Sequence, residues 1–215
     1  MQLFYDDTHH LIDTLLKRYQ KPKLYLAGYS WGTGLGFYIA DKYPELLYAY
    51  IAISPVINQA RADSLSLDML RKTMGSKARK ELAQVNIPFG NADQLYYHRK
   101  WLFKHEGQKL LSLTFRKSVV DSWAATWFDV WTKSTLVNLF NTLPAICCPI
   151  YFFAGGRDYN THHVVTREYF SYVTAPEKDL FVFEETGHGL LETQYDWFED
   201  IVINTILRRT IDKGR

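Results

Sequence analysis

Three residues in this 215-residue sequence could form a nucleophilic relay: Ser30, Asp158 and His188. Ser30 stands in Gly28-Tyr29-Ser30-Trp31-Gly32, Asp158 closes Ala154-Gly155-Gly156-Arg157-Asp158, and His188 sits between Gly187 and Gly189. A serine hydroxyl is a poor nucleophile until a base accepts its proton. Neutral imidazole is available for that near neutral pH. A carboxylate can fix the imidazole tautomer and stabilise the imidazolium. Attack by such a serine on a carbonyl gives an acyl-enzyme that water then hydrolyses. The backbone N–H of Trp31, next after the serine, is expected to be one oxyanion donor.

Each residue has a plainer explanation when taken alone. A serine at a glycine-rich turn can cap the following helix. Gly-Arg-Asp is ordinary turn chemistry, with the aspartate capping its own loop. A histidine between glycines can be a surface turn residue. What favours chemistry is that all three fall at equivalent places in the chain's rhythm of elements.

That rhythm is of the α/β type. Asp6 to Tyr19 carries Leu11, Ile12, Leu15, Leu16 and Tyr19 at helical spacing, and Lys21-Pro22 ends it. Lys23 to Ala27 reads as a buried strand running into the Ser30 turn. Gly28 and Gly32 are expected to let strand and helix approach closely there. Thr33 to Tyr43 is the next helix, with Gly34 and Gly36 thinning its sheet-facing side. Tyr48 to Ile53 is a second strand. After the insert described below, strands are expected at Pro149 to Phe153 and Asp179 to Phe183. Helices are expected at Thr161 to Tyr172 and Leu191 to Leu207. Strands alternating with helices predict a mostly parallel sheet. Ser30, Asp158 and His188 each follow a strand, so they share the sheet's carboxyl edge, where α/β proteins place their sites.

Between the second and third strands the pattern changes. Residues 56–143 read as short helices, at Leu65 to Arg71, Lys77 to Gln84, Gln94 to Lys104 and Val119 to Phe140, with no convincing strand. This segment is expected to be a helical cap over a core formed by residues 1–55 and 144–215. Trp123, Trp127 and Trp131 recur every four residues, which predicts a stripe in the cap's own core.

Composition narrows the class. Hydrophobic residues are 47% and charged residues 22%, as in a globular domain. A net charge of +2 with no long basic run gives no reason to expect a nucleic-acid or membrane-surface partner. No signal-peptide pattern or membrane-length apolar run is visible, so a cytoplasmic protein is expected. Cys147 and Cys148 are adjacent, which disfavours a disulfide between them, and both are expected to be buried as small hydrophobes. His9-His10 and His162-His163 lack the spacing of metal ligands.

The quoted motifs also carry a resemblance. Gly28-Tyr29-Ser30-Trp31-Gly32 resembles the nucleophile turn of α/β-hydrolases, and the order Ser, Asp, His matches that superfamily's triad. Ala154-Gly155-Gly156-Arg157-Asp158-Tyr159-Asn160-Thr161 resembles the acid loop of the proline iminopeptidase-like branch. Glu185-Thr186-Gly187-His188-Gly189 resembles its histidine loop. The resemblance implies Ser30 as nucleophile, Asp158 as acid and His188 as base, with no metal or cofactor. It implies a serine hydrolase acting on a small-molecule or short-peptide amide or ester, most like an aminopeptidase. A carboxylesterase and a non-catalytic remnant or interaction module are the alternatives.

The sequence departs from the branch in two ways. Members carry about four strands and a His-Gly-Gly-type loop before the nucleophile turn, and that loop supplies the second oxyanion donor. Here the turn arrives at residue 30. The strand at Lys23 to Ala27 is then expected to be an exposed apolar edge. Three outcomes are open: a fragment of a longer protein, a homo-oligomer covering the edge, or a missing part supplied by another chain. Losing one oxyanion donor costs about a hundred- to a thousandfold in rate. Aminopeptidases of the branch also grip the substrate amine with acidic cap residues. Glu81, Glu106, Asp121 and Asp129 are available, and no motif singles one out.

Overall fold

A computed structural model describes residues 1–107 and 115–209. Helix α1 (Gln2–Tyr19) leads to strand β1 (Leu24–Tyr29), a short 3-10 turn at Ser30–Gly32 and helix α2 (Thr33–Lys42). Strand β2 (Leu47–Ile53) follows. The insert holds α3 (Gln59–Thr73), α4 (Ser76–Leu82), α5 (Ala92–His105), α6 (Lys117–Thr135) and the single turn α7 (Leu139–Thr142). Then come β3 (Ile150–Gly155), α8 (His163–Tyr172), β4 (Lys178–Phe183), α9 (Leu190–Thr193) and α10 (Tyr195–Ile201), which runs on into a π-helical segment, Val202–Leu207.

The four strands pair in parallel in the order β1-β2-β3-β4, which is also their order in the chain. Both faces of the sheet are covered, as parallel sheets require. On one face Tyr50, Ala52, Ile150 and Phe152 pack with Ile12 of α1, Phe37 of α2 and Tyr169 of α8. On the other, Ile51, Ile53, Tyr151 and Phe153 pack with Leu190 and Ile206. The alternation along β2 and β3 is the two-residue period of a strand with apolar cover on each side.

β1 ends the sheet, as the sequence predicts for the Lys23 to Ala27 strand. Its apolar side chains are nonetheless half-buried. Leu24 and Leu26 pack on the first face, and Tyr25 and Tyr29 on the second, while Ala27 is exposed.

The insert has its own apolar cluster, built on Leu70, Leu82, Trp101 and Leu102. Trp123 and Trp131 pack against it, but Trp127 is 43% exposed and faces Phe4 of α1 at 6.1 Å. The tryptophan stripe is therefore split, because α6 straddles two environments.

Other expectations need correcting. Cys148 is buried but Cys147 is exposed, because neighbours at the entry to β3 point opposite ways. The continuous last helix is broken at Gln194, whose backbone (φ −134°, ψ 30°) is not helical. The glycines also divide. A Cβ on Gly28 would stand 3.0 Å from Gly32 O, Thr33 Cα and Tyr50 Oη, and one on Gly36 would meet the Tyr50 ring at 2.2 Å. Gly32 and Gly34 have nothing within 4 Å of such an atom. At Gly28 the backbone of the turn and of α2 approaches as closely as the Tyr50 hydroxyl, whereas at Gly36 the nearest atoms all belong to buried Tyr50, whose hydroxyl donates to Thr33 O at 2.8 Å.

This contrast predicts opposite signs for two similar substitutions. Gly36→Ala overpacks the α2–β2 contact and is expected to cost about 1–3 kcal/mol. Gly34→Ala meets open space in a helix and is expected to gain up to about 1 kcal/mol. Denaturant unfolding of the two variants checks both; equal shifts would contradict the packing at Tyr50.

Candidate active site

The chain turns at Ser30 with a left-handed backbone, φ 50°, a conformation that costs a residue bearing a Cβ. Several bonds hold it there. The Thr33 hydroxyl donates to Ser30 O at 2.6 Å, and Val56 N–H donates to Thr33 Oγ1 at 3.0 Å, tying the turn to the loop after β2. Ser30 makes no capping bond to the helix. Its Oγ lies 2.8 Å from His188 Nε2.

His188 Nδ1 lies 2.9 Å from Asp158 Oδ2. An ionised carboxylate only accepts, so Nδ1 carries the hydrogen and Nε2 of the neutral ring accepts from the serine hydroxyl. The Asp158 side chain bonds both to its own loop and to the imidazole. Its Oδ1 accepts from the N–H groups of Asn160 (2.9 Å) and Thr161 (3.0 Å), capping the loop. Its Oδ2 accepts from His188 and from the Thr161 hydroxyl (2.9 Å).

Two loops must come close for this. Gly156 N–H donates to Phe183 O at 2.8 Å, and Arg157 N–H to Thr186 O at 2.9 Å. A Cβ on Gly155 would fall 2.3 Å from Gly187 O, so glycine is required where the acid and histidine loops touch. The histidine loop is also clamped from the sheet. Tyr29 Oη donates to His188 O at 3.1 Å and Ser54 Oγ to the same carbonyl at 3.0 Å.

The electrostatics follow from burial and pairing. Burial pushes the Asp158 carboxyl up, but the His188 charge and the hydrogen bonds from His188 and Thr161 outweigh it and hold it at about 2. Burial pushes His188 down, yet Asp158, by charge and hydrogen bond, and Glu106, by charge, leave it above its ordinary 6.5. Tyr29 is pushed up to about 12 by burial first and then by Glu192 and Asp158.

A cleft of about 830 Å³ reaches His188 of this group; its lining includes Tyr29, His188, Phe103, Glu106 and Tyr159, and not Ser30. Glu106 follows the end of α5, and its Oε1 accepts from Tyr159 N–H at 3.3 Å. Burial and then the Asp158 charge raise its carboxyl to about 7. The other acidic candidates lie elsewhere. Glu81 takes Lys100 and the Trp101 indole, while Asp121 and Asp129 pair with Lys117 and Lys133. Trp31 turns its indole away, donating from Nε1 to Ser134 Oγ of α6 at 2.8 Å.

Of the histidine pairs, His9 stacks on Tyr43, and His162 stacks on His163. Among the described residues no group of three or more His, Cys, Asp or Glu is arranged to hold a metal ion, and no helix is long and apolar enough to cross a membrane. Ser54 was missed as a site residue, and Glu106 was one of four acidic candidates that the sequence does not single out. Ser54 follows a strand at the same sheet edge, so the rule that selects Ser30, Asp158 and His188 also selects it. Glu106 has no comparable signal.

The Asp158–His188 pair fixes a pH signature. Asp158 contributes stability above its ordinary 3.8, and this is lost as pH falls through about 2. The His188 contribution is full below 6.5 and is lost as pH rises through its higher folded value. Asp158→Asn is expected to destabilise most between those two ordinary values, and to lower the His188 titration midpoint. Histidine NMR across pH reads the midpoint; an unmoved value would show that the pair does not interact.

A profile of the family described as serine aminopeptidase, S33, matches residues 1–194. The probable aminopeptidase YbaC of Bacillus subtilis (strain 168) is 26% identical over 208 residues, covering 86% of this chain and 65% of that protein. The chain thus spans just under two thirds of this curated relative. The solved proline iminopeptidase of Mycobacterium smegmatis superposes with a TM-score of 0.66 at 18% identity, over 99% of this chain and 73% of that one. The esterase EaEST of Exiguobacterium antarcticum gives a TM-score of 0.53 at 13% identity, over 94% and 73%. At these identities the two structures establish the α/β-hydrolase fold.

Proposed function

The chain belongs to the serine aminopeptidase S33 family, and on that premise we propose that it is a serine hydrolase working through an acyl-enzyme on small amides or esters, most like a proline iminopeptidase-type aminopeptidase. The observation that carries this is the unbroken relay Ser30 Oγ–His188 Nε2 at 2.8 Å and His188 Nδ1–Asp158 Oδ2 at 2.9 Å.

Ser30 is the nucleophile. As its Oγ bonds to the substrate carbonyl, His188 Nε2 takes the proton, and Asp158 stabilises the imidazolium. His188 then gives the proton to the leaving amine or alcohol, whose bond to the carbonyl breaks. Water, deprotonated by the same nitrogen, bonds to the acyl carbon; the ester bond to Ser30 Oγ breaks, His188 returns the proton to that oxygen, and the acid leaves. The Trp31 N–H donates to the oxyanion. Residues 56–143 act as a cap over the core of residues 1–55 and 144–215, and the cleft between them receives the substrate.

Glu106 gives the aminopeptidase reading its support over a plain esterase. A carboxylate in the cleft beside His188 suits a substrate ammonium, in keeping with the acidic grip of the branch. Its value of about 7 means that it is increasingly charged, and better able to hold the amine, as pH rises through neutrality.

A fluorophosphonate probe followed by intact mass is expected to give one adduct, absent from Ser30→Ala. Folded protein that takes no adduct would leave the non-catalytic alternative. On aminoacyl esters Glu106→Gln is expected to raise KM about tenfold or more, the worth of a hydrogen bond to a charged group. Simple acyl esters are expected to be hardly affected. Equal effects on the two substrate types would instead support the esterase.

A further inference from the structure

A second buried polar group lies outside the relay and touches its acid loop. Gln59, the first residue of α3, is 4% exposed, and both hydrogens of its side-chain amide are used. One goes to Asp63 Oδ1 at 2.9 Å and the other to the backbone carbonyl of Asn160 at 2.8 Å. Asp63, 3% exposed, cannot swing away. Its Oδ1 also accepts from Arg99 Nη1 of α5 at 2.8 Å. Arg99 is braced by His98 Nδ1 at 2.7 Å, and His98 Nε2 lies 3.2 Å from Asp63 O and 3.3 Å from Ser66 Oγ. Two helices of the insert thus present one fixed amide to the Asp158 loop.

The peptide it holds is the one that matters to the carboxylate. Asn160 O, which accepts from Gln59, shares its peptide with Thr161 N–H, which donates to Asp158 Oδ1. Moving this carbonyl moves a peptide that clamps Asp158. A packed apolar cluster already joins the insert helices, so this costly buried polar group supplies orientation that packing alone does not.

We propose that Gln59 is a positioning residue, which ties the Asp158 loop to the Asp63–Arg99 pair of the insert and so sets the carboxylate against His188. The proposal rests on the serine-hydrolase reading above. Gln59→Leu removes both donors at similar size. Gln59→Asn keeps the amide but is one methylene too short to bridge Asp63 and Asn160. Arg61→Ala, on the solvent side of the same helix, is the control.

Single-turnover labelling by a fluorophosphonate is followed across pH. The amplitude counts folded molecules, and the rate constant reports the relay. The Gln59 variants are expected to keep the wild-type amplitude. Their rate constant is expected to fall about tenfold or more, since small misplacements from distant changes cost up to about a hundredfold. The pH inflection is expected to move down as Asp158 loosens its hold on His188, while Arg61→Ala matches wild type. A lower amplitude with unchanged rate and inflection would assign Gln59 a purely structural role and overturn the proposal. So would wild-type behaviour throughout, or failure of both variants to fold. An unlabelled wild type would instead overturn the hydrolase reading itself, and the proposal with it.

Discussion

A carboxylate held ionised at 1% exposure is the constraint around which this molecule is arranged. Charge is costly to bury unless it is met on every side by donors. Asp158 meets two backbone N–H groups, one hydroxyl and one imidazole, and these come from its own loop and from the loop after β4. The loop donors require a tight turn, and the imidazole requires the two loops to touch. The contact leaves no room for a Cβ at Gly155. Parallel pairing of β3 with β4 brings the loops to one edge, and β2 and β1 extend that edge to Ser54 and Ser30.

Much of this could be read in the sequence because it is local. The run into Gly28, the glycines around His188 and the alternation of apolar strands with helices each depend on neighbours in the chain. The strand-end rule then joined three distant residues without knowledge of their contacts. What escaped depends on packing across the chain. Whether a glycine is needed at position 32, 34 or 36 is decided by where the Tyr50 ring lies. Trp127 repeats the spacing of Trp123 and Trp131, yet only those two meet the insert's cluster. Glu81 and Glu106 look alike as letters. One takes a lysine and an indole, while the other accepts from Tyr159 N–H and lines the cleft that reaches His188.

The insert and the sheet are more than neighbours. Tyr159, one residue past the buried carboxylate, packs on the insert's apolar cluster, and its N–H reaches Glu106. The Trp31 indole bonds to Ser134 on α6. Residues flanking both Ser30 and Asp158 therefore have second anchors in the helices above. The side chains that face the cleft and the backbone that supports them are set by different parts of the chain.

Strand order that copies chain order has a consequence for how freely this architecture can be varied. Successive strands are added at the same edge, so no later strand must fit between two earlier ones. The long excursion from β2 to β3 leaves and rejoins adjacent positions. The entropy of closing such a loop grows only with the logarithm of its length, about 0.6 kcal/mol for each doubling. Helices can accordingly be lengthened, exchanged or added within the excursion at little thermodynamic expense to the sheet. Length added within the excursion, away from the bonds that tie Gln59 to Asn160 and Ser134 to Trp31, is thereby separable, in evolution or by design, from the stability of the four strands.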